Sequence, residues 1–84
     1  MKHFATPNFW QWYNILPRDV QLHADRSYKI LKTNPNHPAL QFKQIRNYWS
    51  VRIGLHYRAL AVTENQEFIR FWIGSHADYD KLIG

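Results

Sequence analysis

An imidazole and a phenol stand three residues apart near the end of the chain, at His76 and Tyr79. Residues 67–73 before them are largely β-branched and aromatic, which is typical of a strand. Ser75 is a candidate helix N-cap, with the Asp78 carboxylate placed to complete a capping box. Because side chains three apart on a helix share a face, both rings would lie together where a strand gives way to a helix. The pattern predicts a candidate active site there.

Two helices are predicted ahead of the strands. Thr6 and Pro7 form a helix-start pair, a hydroxyl at the N-cap and a proline at the first helical position. Apolar residues then recur at helical spacing as far as Leu16. Pro17 ends this helix and begins a second, amphipathic one over residues 18–32. The proline-containing loop 34–38 ends the second helix.

After that loop the pattern changes to alternation, with strands predicted near residues 40–45, 48–53, 57–63 and 67–73. A short strand at residues 3–6 precedes the helices. The predicted fold class is α+β. Its two N-terminal helices pack on an antiparallel four-stranded C-terminal sheet, with the short first strand added at the N-terminus and a short helix closing the chain. We expect a single domain over residues 1–84.

The composition narrows the function classes. Lys and Arg number 11 against 6 Asp and Glu, giving a net charge of +5, and 17% of residues are aromatic. That balance favours a polyanion or an acidic protein as partner. The chain has no cysteine, no metal-ligand spacing among its histidines, no phosphate-binding loop and no apolar run of ~18 residues. We therefore expect no cofactor, no metal, no membrane contact and a cytoplasmic location.

Strand parity leaves two assignments of the sheet faces open. In the first, small Ala59 and Ala61 lie beneath a helix, and a basic and apolar face stays open for a partner. That face would carry Arg52, Arg58, Arg70, Leu60, Val62, Phe68 and Trp72. In the second, a β-bulge shifts the parity, Leu60 and Val62 are ordinary core residues, and no partner exists.

The element order resembles that of the RelE/ParE superfamily, the toxin halves of type II toxin–antitoxin pairs. Tyr57-Arg58 at the start of a strand and the run Gly74-Ser75-His76-Ala77-Asp78-Tyr79 carry the likeness, which covers essentially the whole chain. The RelE branch implies an mRNA endonuclease that acts in the ribosomal A site. The ParE branch implies the same fold directed at DNA gyrase. A third alternative is a non-catalytic relative that only binds an antitoxin.

The resemblance implies roles for individual residues. Arg58 and Arg52 would hold the scissile phosphate, His76 would take the place that several relatives fill with histidine, and Tyr79 would stack on or activate the nucleotide. Ser50 stands where RelE has a basic residue, so Lys43 or Arg46 would supply that phosphate contact. The full set of predicted RNA or phosphate contacts is Lys43, Arg46, Arg70 and His56. The predicted contacts with an acidic, amphipathic antitoxin are Leu60, Val62, Phe68 and Trp72.

The implied chemistry is RNA cleavage by attack of the 2′-hydroxyl on the adjacent phosphate, without a metal. It requires a base, an acid and cations for the charge that builds on phosphorus. Histidine suits the base because imidazole titrates near neutral pH, and the arginine fork binds two phosphate oxygens at once. A structural interpretation stands beside each role: His76 as an exposed helix-start residue, and Tyr79 as the anchor of the last helix.

Overall fold

The computed structural model describes residues 2–84, which form one five-stranded sheet, three α-helices and a short 3-10 turn. The predicted α+β architecture is confirmed, including the added first strand and the closing helix. Along the chain the elements are β1 (Lys2–Ala5), α1 (Pro7–Asn14), α2 (Arg18–Thr33), the 3-10 turn (Pro38–Leu40), β2 (Lys43–Ile45), β3 (Tyr48–Ile53), β4 (Tyr57–Glu64), β5 (Glu67–Ser75) and α3 (His76–Ile83).

Side-chain caps begin α1 and α3 where the sequence predicts them. The Thr6 hydroxyl accepts a hydrogen bond from the Phe9 N–H at 3.2 Å. The Ser75 hydroxyl accepts one from the Asp78 N–H at 3.1 Å. Each bond satisfies an N–H that has no partner inside its own helix. No helix within residues 2–84 combines the length and the apolar character that crossing a membrane requires.

The strand order across the sheet is β1-β5-β4-β3-β2. The four later strands form antiparallel neighbours, and β1 adds to the outer edge of β5 in parallel. This order places β4 in the middle of the sheet. The turn between β3 and β4 therefore lies at the same end of the sheet as the start of α3, which follows β5 directly.

A β-bulge in β5 decides which side chains share a face. Leu60 of β4 pairs with Trp72, but the next residue, Ala61, pairs with Arg70, so Phe71 is the extra residue. The bulge reverses the parity of β5 on its two sides. Uniform alternation, which put Phe68, Arg70 and Trp72 on one open face, is therefore wrong, and the bulge that the alternative assumed is present.

The face beneath α1 and α2 holds most of the core. Ala59 and Ala61 lie there as predicted, and Phe68 lies there too, only 3% exposed. Small residues at the centre of the sheet let the two helices approach closely. The clusters on this face contain Phe9, Ala24, Ile53, Ala59 and Ile73, and Leu31, Leu40, Val51, Ala61 and Phe68.

The opposite face is covered at its centre by α3. Leu60, Trp72 and Tyr79 form a buried cluster there. Leu60 and Trp72 are 2% and 7% exposed, so the prediction that they lie on an open surface is wrong. Val62, beyond the cover of α3, is half-buried. The end of this face where β3, β4 and α3 meet carries an open polar cleft.

Candidate active site

Two arginines face each other across adjacent strands at this end of the sheet. Arg52 of β3 and Arg58 of β4 are direct cross-strand partners. Like charges in that position destabilise a sheet unless something offsets them. Both side chains line an open cleft that Gln41, Leu55 and His76 complete. The arrangement suits an anion placed between the two guanidinium groups.

Arg58 is held in place by polar neighbours. Its Nη1 donates to the Ser50 hydroxyl at 2.9 Å and its Nη2 donates to Gln41 Oε1 at 3.0 Å. Only 4% of the residue is exposed, and Ser50 is fully buried. Burial lowers the pKa of the Arg58 guanidinium, and the Arg52 charge adds to that effect. Because arginine still keeps its proton at neutral pH, Arg58 is a fixed positive charge at the floor of the cleft.

Arg52 is more accessible than Arg58. Its Nε donates to the Gly54 carbonyl oxygen at 2.8 Å. Gly54 adopts a left-handed conformation with φ of 60°, which suits glycine in this tight turn. The bond uses Nε alone, so both terminal nitrogens of Arg52 remain free to bind an anion at the cleft.

His76 begins α3 at the rim of the cleft. Its backbone N–H donates to the His56 carbonyl oxygen at 2.7 Å, which ties the helix start to the β3–β4 turn. Its Nδ1 lies 3.2 Å from Asp80 Oδ2, and half of its side chain is exposed. The site thus joins an accessible imidazole to a pair of arginines.

Tyr79 is adjacent to His76 but buried. The two ring centroids are 5.7 Å apart, and Arg58 Cζ lies 5.2 Å from the Tyr79 ring centroid. The residue is 3% exposed and its hydroxyl has no hydrogen-bond partner within residues 2–84. The prediction of an exposed stacking surface is wrong. The ring occupies the position of a helix anchor instead.

The other predicted phosphate contacts divide into two groups. Lys43 is exposed on β2 directly opposite Ser50, and His56 is exposed in the turn beside His76, so both border the site. Arg46 lies in the turn at the opposite end of the β2–β3 hairpin. Arg70 lies on the helix face, with its Cζ 3.8 Å from the centroid of the Tyr28 ring. The prediction that placed Arg70 beside Arg52 and Arg58 is therefore wrong.

Two residues of the site escaped the sequence analysis. Gln41 follows the 3-10 turn in a left-handed conformation with φ of 42° and reaches Arg58 from outside the sheet. A single loop glutamine carries no pattern that would reveal this contact. Asp80 stands four residues after His76, and helical spacing alone would have revealed their proximity. Within residues 2–84, no group of three His, Asp or Glu side chains is arranged to hold a metal ion.

The comparisons with known proteins identify the family and match the fold. The family described as the ParE-like toxin domain matches residues 18–81. The RelB–RelE antitoxin–toxin complex from Methanococcus jannaschii has a TM-score of 0.75 at 13% identity, covering 96% of this chain and 99% of that one. YafQ from E. coli has a TM-score of 0.77 at 8% identity, with 93% and 96% covered. The YoeB/ParE toxin from Agrobacterium tumefaciens has a TM-score of 0.71 at 18% identity, covering 90% of this chain and 99% of that one. No curated protein sequence matches the chain.

Proposed function

Because this chain belongs to the ParE-like toxin family of the RelE/ParE superfamily, we propose that it is the toxin of a type II toxin–antitoxin pair and an mRNA endonuclease that acts on the ribosome. The proposal rests mainly on the cross-strand pair Arg52 and Arg58, which lies beside the half-exposed imidazole of His76. The partners are a cognate antitoxin and mRNA in the ribosomal A site. Solved relatives include RelB–RelE complexes, which supports the antitoxin partner.

The reaction assigns a role to each accessible group of the cleft. His76 takes the proton of the 2′-hydroxyl, and the 2′-oxygen attacks the adjacent phosphorus. The bond from phosphorus to the 5′-oxygen breaks, and that oxygen takes a proton from water. The products are a 2′,3′-cyclic phosphate and a 5′-hydroxyl.

The two arginines stabilise the charge that builds on the phosphate oxygens during this step. Their guanidinium groups are placed before the substrate arrives, so little reorganisation is needed in the transition state. Lys43 and His56 border the same site and are placed to contact neighbouring phosphates of the strand. In this arrangement Tyr79 acts by holding α3, and therefore His76, against the sheet.

The test is expression in bacteria without an antitoxin, together with cleavage of mRNA on purified ribosomes. The parent arrests growth and cuts mRNA within codons. His76→Ala should lower the cleavage rate about 10²–10⁴-fold, the range for loss of a general base. Arg52→Ala should also relieve the arrest, whereas Arg26→Ala, at an exposed cation of α2, should not. An undiminished rate in the double variant His76→Ala with Arg52→Ala would contradict the nuclease assignment.

The match to the ParE-like family favours one second candidate, a toxin directed at DNA gyrase. Such a toxin inhibits by binding and uses no bond-breaking residue of its own. Arrested cells would then show DNA damage and an SOS response with intact mRNA, and His76→Ala would stay toxic. Absence of arrest at every expression level would instead identify a relative that only binds an antitoxin.

A further inference from the structure

We infer that Asp80 is a positioning residue for His76, holding the imidazole in the tautomer that leaves Nε2 free to accept a proton. The inference rests on the proposed nuclease function. Asp80 stands one helical turn after His76 on α3, and its Oδ2 lies 3.2 Å from His76 Nδ1. The resemblance on which the site residues were first identified assigns no role to this position.

The chemistry of the two groups determines the tautomer. An ionised carboxylate can only accept hydrogen bonds, so the neutral imidazole must carry its proton on Nδ1 to bond with Asp80. Nε2 then presents a lone pair, as a general base requires. A neutral imidazole without a partner favours the proton on Nε2, where it would block this role.

Contacts of the His76 backbone and ring orient Nε2 towards the cleft. The His56 carbonyl oxygen fixes the His76 backbone through the 2.7 Å bond from its N–H. Asp80 then limits rotation of the ring from one side. The His76 side chain lines the cleft together with Arg52 and Arg58, whereas Asp80 does not. The carboxylate therefore lies behind the imidazole and leaves the cleft to the substrate.

Two variants separate the hydrogen bond from the charge. Asp80→Ala removes both, and Asp80→Asn keeps an acceptor oxygen but removes the charge. Asp78→Asn is the matched control, because it neutralises a carboxylate on the same helix, two residues from His76 and on another face. The measurements are steady-state cleavage of mRNA on ribosomes, which gives kcat and KM, and the nitrogen chemical shifts of the His76 ring in the free, full-length protein.

Asp80→Ala should lower kcat about 10–100-fold, as loss of an orienting partner typically does, with little change in KM. Its ring nitrogen shifts should move towards the Nε2–H tautomer. Asp80→Asn should retain more of the rate than Asp80→Ala, because its amide oxygen can still accept a hydrogen bond from the Nδ1–H of His76. Asp78→Asn should change none of these, and Asp80→Glu should restore part of the rate.

The ring signals decide the inference independently of cleavage. If the parent cuts no RNA, the proposed function fails, and the tautomer of His76 in the parent and in Asp80→Ala still tests the contact. An Nε2–H tautomer in the parent, or identical ring signals in the parent and both Asp80 variants, would overturn the positioning role.

Discussion

Arg58 is buried and Arg70 is half-buried on the neighbouring strand, and alternation along the sequence placed both on one basic face. The structure puts them on opposite faces. Arg58 has the polar partners Ser50 and Gln41 at the edge of an open cleft. Arg70 lies beneath the helices against aromatic rings, 3.8 Å from the centroid of Tyr28. Burial lowers the pKa of both groups.

The difference between them lies in what offsets the cost of burying a charge. Oxygen acceptors hold the two terminal nitrogens of Arg58 at the floor of the open cleft. The aromatic faces of Phe9, Trp10 and Tyr28 attract the half-buried Arg70 cation by their quadrupoles. One arginine therefore contributes its charge to the cleft, and the other joins α1 and α2 to the sheet.

The largest effect on stability should come from Arg70→Ala. The substitution removes the long side chain that packs among three aromatic rings, and we expect a loss of about 2–3 kcal/mol in the free energy of unfolding. Arg52→Ala, at the accessible arginine, should change it by less than about 0.5 kcal/mol while stopping cleavage. Urea unfolding and the ribosomal cleavage assay check both. If Arg70→Ala keeps the parental stability but abolishes cleavage, Arg70 contacts RNA and does not act through packing.

Ser50→Ala tests the polar half of the comparison. It leaves Arg58 Nη1 without its buried acceptor, which should cost about 1–3 kcal/mol in the free energy of unfolding. Cleavage should weaken as well, because Arg58 loses an orienting contact. The matched control is Ser27→Ala on α2, which should be near neutral. Thermal melts of the two variants provide the measurement, and equal melting temperatures would show that Ser50 does not support Arg58.

Tyr79→Phe should have a smaller and opposite effect. The Tyr79 hydroxyl is buried and has no hydrogen-bond partner among residues 2–84, so removing it should stabilise the domain by about 1 kcal/mol. Cleavage should stay at the parental rate, because the ring and not the hydroxyl holds α3. A rate reduced about 10²-fold would instead assign proton transfer to the phenol.

The smallest effect should be a dependence of stability on pH that comes from His3, beside Arg70. Burial lowers the pKa of His3 below its usual 6.5, and the charges of Arg70 and Lys32 add to this. Well above pH 6.5 the His3 imidazole is neutral in the folded and the unfolded protein. As the pH falls below 6.5, the unfolded protein takes up a proton on His3 before the folded protein does. Stability should therefore fall as the pH drops through 6.5, and His3→Gln should flatten the curve measured by thermal melts. If His3→Gln shows the same dependence of melting temperature on pH as the parent, His3 is not the source of that dependence.

Local signals predicted most of the elements. Thr6 and Ser75 cap helices as expected, because a hydroxyl before a helical run satisfies an N–H three residues away whatever the rest of the chain does. Arg52 and Arg58 are cross-strand partners because a short turn between two strands imposes their register. His76 follows from the same local rules, as the first residue after its cap.

The faces and the depth of burial depended on the tertiary structure. One extra residue at Phe71 moved Phe68 and Arg70 to the helix face, and alternation read along a single strand cannot reveal a bulge that is defined against its neighbour. Trp72 and Tyr79 are buried because α3 folds back over β4 and β5, which no local pattern specifies. Gln41 reaches Arg58 across 17 positions of sequence.

By itself, the sequence determined the helix starts, the strands and the arginine and histidine side chains that the cleft requires, since caps, turns and periodicity act within a few residues. The tertiary structure decided which arginine lines the cleft, which one packs against aromatic rings and which carboxylate contacts the imidazole. Those outcomes depend on strand register and on the docking of α3. Both are set by packing between segments that are distant in the chain.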